Sequence, residues 1–153
     1  MKEFKDFEEF YNYGYSITKS IKAKTNNFLA SERVEFARNN IYKSDLRGFI
    51  KVSFISKEVI NILDTTSNIL KFSVENLIKN LLVHSDVTFE DYKKIPLISS
   101  KPDKIVKSKN GYDVMLFKAN NKYYKLVIKT TKNKDENYIK SFHLLEQERY
   151  EKY

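Results

Sequence analysis

Two histidines, His84 and His143, are the side chains of this 153-residue chain whose unperturbed charge changes near neutral pH, so proton-transfer chemistry would centre on them. His84 ends the run SVENLIKNLLVH, where the carbonyl dipoles of a helix end favour an imidazolium. His143 lies in KSFHLLE, where two-residue alternation puts Ser141 and His143 on one face of a strand and Phe142 and Leu144 on the other. In KYYKLVIKTT the same alternation groups Tyr123, Lys125, Val127, Lys129 and Thr131. Lysine neutralises phosphate, and tyrosine stacks or donates a hydrogen bond. Each of these residues also has a plain structural use, His84 as a helix cap and the strand residues as a solvated sheet face.

Other chemistry is narrowed by what is missing. The chain has no Cys, and two His are too few for a structural zinc site. There is no GxGxxG, P-loop, HExxH, EF-hand loop or paired-carboxylate motif, and three Gly leave little for a phosphate-cradling loop, so neither a metal nor a nucleotide cofactor is expected. The net charge of +8 is local, because residues 101–134 hold ten Lys against Asp103 and Asp113. Such a field attracts a polyanion, with Lys107 and Lys118 among the contacts, although lysine-rich hairpins also serve to keep edge strands soluble. A basic antiparallel sheet with Tyr, Lys, Ser and His on one face matches the needs of metal-free RNA cleavage. In that reaction a base takes the 2′-OH proton, an acid protonates the leaving 5′-oxygen, and cations offset charge on the phosphorane.

The positioning elements follow from periodicity. Phe4, Phe7, Phe10, Tyr11, Ile17 and Ile21 predict an amphipathic helix ending near Lys24, with a weak point at Gly14. A second helix is expected after Ser31 as cap, with Val34, Phe36 and Ile41 as its apolar side. GFIKVSFIS reads as a strand and ILKF as a short extended piece. Ser73 caps a helix whose stripe is Val74, Leu77, Ile78, Leu81 and Leu82, and TFEDYKKIPLI reads as a short helix limited by Pro96. Four strands follow, KIVKSK, YDVMLFKA, KYYKLVIKTT and NYIKSFHLLE, joined by Asn110-Gly111, Asn120-Asn121 and a longer NKDE turn. The predicted class is α+β, N-terminal helices followed by a four-stranded antiparallel meander, with a boundary between residues 45 and 70.

KFSVENLIKNLLVHSDVTFEDYKKIPLISSKPDKI, VMLFKANNKYYKLVIKTT and ENYIKSFHLLEQERYEKY together resemble the phage-associated nuclease domains of the barnase, EndoU, colicin and RelE-like superfamily. The resemblance runs over about residues 70–150 through Ser73, His84, Glu90-Asp91-Tyr92, Pro102-Asp103, Tyr124 to Lys129-Thr130, Tyr138 to Ser141-Phe142-His143, and Arg149. It implies a metal-independent endoribonuclease domain at 70–153, preceded by a mainly helical extension at 1–69. By the same resemblance His84 is a general acid or base, Lys129 the transition-state cation, Thr130 and Ser141 phosphate-orienting hydroxyls, and His143 a further catalytic residue. Tyr123, Tyr124, Lys125 and Arg149 would contact substrate beside Lys107 and Lys118. The pattern departs at His84-Ser85-Asp86, where the family has His-Pro-Glu, and does not cover the first 70 residues.

The implied partners are RNA, a small acidic inhibitor or immunity protein, and a phage-particle protein. No apolar run is long enough for a membrane span, and MKEFKDFEEF lacks the marks of a signal peptide, so the expected place is the cytoplasm of a host or target cell, or a phage particle. The alternative is a non-catalytic module binding nucleic acid or protein on the same fold. An antitoxin or immunity role is disfavoured, because partners of basic nucleases are acidic and this chain is basic.

Overall fold

A computed structural model describes residues 3–41 and 48–153; residues 45–47 of the expected boundary region lie outside them. The helices are α1 (Phe7–Lys24), α2 (Ala30–Asn40), α3 (Lys57–Leu63), α4 (Val74–Val83), α5 (Phe89–Tyr92), α6 (Ile95–Ser100) and α7 (Gln147–Glu151). The strands are β1 (Phe49–Phe54), β2 (Ile69–Ser73), β3 (Lys104–Lys107), β4 (Asp113–Ala119), β5 (Lys122–Thr130) and β6 (Asn137–Leu145).

The protein is α+β, but its sheet is six-stranded and mixed, in the order β1-β2-β6-β5-β4-β3, rather than a four-stranded antiparallel meander. β3 to β6 pair antiparallel, and β2 joins β6 in parallel through Leu70↔Asn137 and Lys71↔Tyr138. The buried Asn137 side chain secures this junction by donating to the Ser67 and Ile69 carbonyls at 2.9 and 3.1 Å. A short apolar piece such as ILKF carries no sign of which strand it will join, since parallel pairing depends on residues far away in the chain.

The chain divides into two compact units, residues 1–50 with 72–85 and residues 51–71 with 86–153. This differs from a division into 1–69 and 70–153 in two places, since residues 51–69, with most of β1 and α3, group with the second unit and residues 72–85, with α4, group with the first. In the first unit α1, α2 and α4 pack on one another, and Val74, Leu77, Ile78, Leu81 and Leu82 of the α4 stripe are buried. Asp6 caps α1 by accepting the Glu9 N–H at 2.9 Å, and Phe10, Gly14, Thr18 and Ile21 form its buried side. Gly14 lies inside a continuous α1 and lets Leu77 of α4 approach, since a Cβ there would lie 2.5 Å from Leu77 Cδ2. Ser73 caps α4 as expected, accepting from the Asn76 N–H at 3.1 Å. α2 starts earlier than expected, with Glu32 rather than a Ser31 cap accepting the Leu29 N–H at 2.8 Å.

In the second unit the segment read as a single helix is two, because Pro96 opens α6 instead of closing α5. In a first helical turn the missing proline N–H costs nothing. α3, capped by Ser56, and α7 were not expected. The hairpin turns form as predicted: Asn120 and Asn121 take φ values of 51° and 66°, and Gly111 takes 81°.

Gly14→Val should destabilise the protein by about 1–3 kcal/mol, because the added methyls overlap Leu77. Urea unfolding checks this, and if that contact is the cause the double variant should lose less than the sum of the Gly14→Val and Leu77→Ala losses.

Candidate active site

The β5–β6 register builds the site. Lys125 pairs with His143, Val127 with Ser141 and Lys129 with Tyr138, with a register shift between Val127 and Ile128. Paired residues share a sheet face, so Tyr123, Lys125, Val127 and Lys129 of β5 stand with Leu145, His143, Ser141 and Tyr138 of β6, as the alternation of KYYKLVIKTT and KSFHLLE predicts. The other face, with Tyr124, Leu126, Ile128, Ile139 and Phe142, is buried.

His143 lines an open cleft of about 390 Å³ together with Asp86, Leu144, Leu145, Glu146 and Arg149. Arg149 is brought there by α7, whose turn closes as the Arg149 and Tyr150 N–H groups donate to the Glu146 carbonyl at 3.1 Å. Tyr150 of the same helix packs against the Val114, Leu116 and Val127 cluster of the sheet. Its ring lies 4.8 Å from that of Tyr123, and its hydroxyl donates to Asp103 at 2.9 Å. Burial, then the bond to Asp103, pushes the Tyr150 phenol up to about 12, so it stays a neutral anchor at physiological pH. The cleft therefore joins an imidazole, a guanidinium and two carboxylates; Lys125 pairs with His143 in strand register, and its Nζ lies 5.4 Å from the ring centroid of Tyr153. Proton transfer and anion stabilisation are both within the reach of such a set.

The other expected residues are distributed as follows. Lys129 is exposed on the His143 face, four residues along β5 from Lys125, or roughly 13 Å. Thr130 faces the opposite way and donates to Asn137 Oδ1 at 3.0 Å. Tyr124 is fully buried, so it serves the core and is not placed to touch substrate. Lys118 stands on the His143 face with its Nζ 5.6 Å from the Tyr123 ring centroid, whereas Lys107 pairs with the buried Asp113 at 2.8 Å on the opposite face. His84 is the C-cap residue of α4, its N–H donating to the Asn80 carbonyl at 2.7 Å, and it belongs to the first compact unit. Sequence reasoning assigned no role to Asp86 or Glu146, although Asp86 stands where the resembled pattern carries Glu and Glu146 follows the run that holds His143. Among the described residues no group of three or more His, Asp or Glu side chains is placed to hold a metal ion.

Asp91, 1% exposed, anchors α5 to β5. It accepts from the Tyr124 hydroxyl at 2.7 Å, Lys122 Nζ at 3.0 Å, and the Thr88 N–H and hydroxyl at 2.9 and 3.0 Å. Burial alone would raise its pKa, but these donors outweigh burial and hold the carboxyl at about 2. Because the folded value lies below the unfolded one, this stabilisation is complete above about pH 4 and is lost as the pH falls toward 2. Asp91→Ala should cost about 3–5 kcal/mol, since it leaves Lys122 and the buried Tyr124 hydroxyl without their acceptor. Urea unfolding at pH 7 and pH 3 checks both statements, the gap between wild type and variant narrowing at the lower pH.

The chain matches no protein-family model, no curated protein and no solved structure, so the chemistry of this cleft has to be read from its own side chains.

Proposed function

We propose that the protein is an endoribonuclease that cleaves RNA without a metal, by attack of the 2′-OH on the adjacent phosphorus. The observation that carries this reading is the shared cleft of His143, Arg149, Asp86 and Glu146, with Lys125 in register beside His143. A cleft carboxylate, Asp86 or Glu146, accepts the 2′-OH proton as O2′ bonds to phosphorus. The P–O5′ bond breaks, and the His143 imidazolium gives its proton to O5′, leaving a 2′,3′-cyclic phosphate and a 5′-hydroxyl. Arg149 and Lys125 offset the charge that builds on the phosphorane. On this reading His143 rather than His84 carries the proton transfer, and Lys129 lies outside the reacting centre. The same positive face would attract a small acidic inhibitor protein. Presence in a host or target cytoplasm, or carriage with a phage particle, would bring the enzyme to RNA.

His143→Ala should lower the cleavage rate roughly 10²-fold with the circular dichroism spectrum retained, while His84→Ala has a much smaller effect. Cleavage should persist in EDTA and spare DNA, which lacks the nucleophile. An active His143→Ala variant would overturn the assignment; RNA binding without any cleavage would favour the non-catalytic binding module.

RNA affinity should also weaken with salt, and Lys118→Ala should flatten the slope of log affinity against log salt by about 0.7, the contribution of one phosphate contact on a single strand. Lys107→Ala should leave the slope in place, because its charge is already paired with Asp113 on the other face. Fluorescence anisotropy titrations at graded salt measure both.

A further inference from the structure

The face that carries His143 has a second cationic patch farther along the same two strands. Between Val127 and Ile128 the register shifts, so that Ile139 pairs with Ile128 and Ser141 with Val127, leaving Lys140 as the extra residue of β6. Such a bulge re-aims a side chain. Here the Lys140 Nζ lies 5.9 Å from the ring centroid of Tyr112, a residue packed on the Val114, Leu116 and Val127 cluster, which puts Lys140 on the His143 face. Lys129 is exposed on that face beside Tyr138. Among the described residues no carboxylate forms an ion pair with Lys125, Lys129 or Lys140. The neighbouring acid, Glu136, is taken up by Lys71 at 2.8 Å and by the Tyr138 hydroxyl at 3.2 Å. Half-buried Ser141 lies between the two patches on β6.

Resting on the nuclease reading for the identity of the polyanion, we infer that Lys129 and Lys140 bind a second phosphate of the same strand, so that the substrate is an extended single-stranded RNA running from the His143 cleft past Ser141 of β6, since Val127, between Lys125 and Lys129 on β5, is buried in the cluster on which Tyr150 packs. Lys129 lies four residues along β5 from Lys125, roughly 13 Å, a span of a few nucleotides. A sheet face with lysines at both ends and tyrosines beside them suits a splayed single strand better than a duplex, whose grooves need a protruding reader. The arrangement gives Lys129 a binding role at a remote phosphate, in place of the transition-state role that the family resemblance implies.

The test uses 2′-O-methyl oligonucleotides, which carry the phosphates but lack the nucleophile, so binding is read independently of cleavage. The hexanucleotide should bind the full chain tighter than the dinucleotide, and Lys129→Ala and Lys140→Ala should each lower the hexanucleotide-to-dinucleotide affinity ratio about tenfold, the worth of one charge-assisted contact. Circular dichroism confirms that each variant is folded. Equal affinity for the two lengths, or a ratio that neither variant changes, overturns the inference. The corresponding RNA oligonucleotides are assayed for cleavage in parallel. Length-dependent, lysine-dependent binding without cleavage would remove the nuclease reading and support the extended track. Cleavage without a length preference would remove the track and leave the nuclease reading.

Discussion

The pairing of β5 with β6 is the constraint on which the functional face depends. Antiparallel register places His143 beside Lys125 at one end and Tyr138 beside Lys129 at the other, and the shift between Val127 and Ile128 keeps the buried residues of both strands on one side despite the extra Lys140. A regular ladder continued from Asn137 would put the residues of β6 beyond Ile139 on the opposite face, sending His143 into the core and Phe142 into solvent. The bulge therefore reconciles the burial of Ile139 and Phe142, three residues apart, with the exposure of a polar face.

That face is supported from behind and bordered in front. Behind it, Asp91 binds the start of β5 to α5 through Lys122 and Tyr124, and stacking of the Tyr124 ring on Phe142, with centroids 5.6 Å apart, carries the same support into β6. A buried carboxylate is costly by itself, but here every donor converges on it and the charge stays where β5 needs it. In front, α7 lays Tyr150 on the apolar centre of the face and supplies Arg149 to the cleft. The short helix thus closes a small hydrophobic cluster and completes the polar site at once, which couples folding of this segment to the assembly of the cleft.

Local chemistry was legible in the chain wherever neighbours in sequence decide the structure. Capping by Ser73, the hairpin turns at Asn110-Gly111 and Asn120-Asn121, the four meander strands, and the grouping of Tyr123, Lys125 and Lys129 on one face all follow from spacing of two to four residues. So does the concentration of positive charge between residues 101 and 134, half of a site description in itself. Tertiary structure alone decided the rest. Whether β2 pairs with β6, whether Gly14 admits Leu77, and whether Tyr124 stacks outward or donates to Asp91 depend on partners far off in the chain. The gathering of Asp86, His143, Glu146 and Arg149 into one cleft is of the same kind, because α7 must first fold back on the sheet through Tyr150. Periodicity assigns a residue to a face, but only the packing of distant segments determines which residues on that face meet.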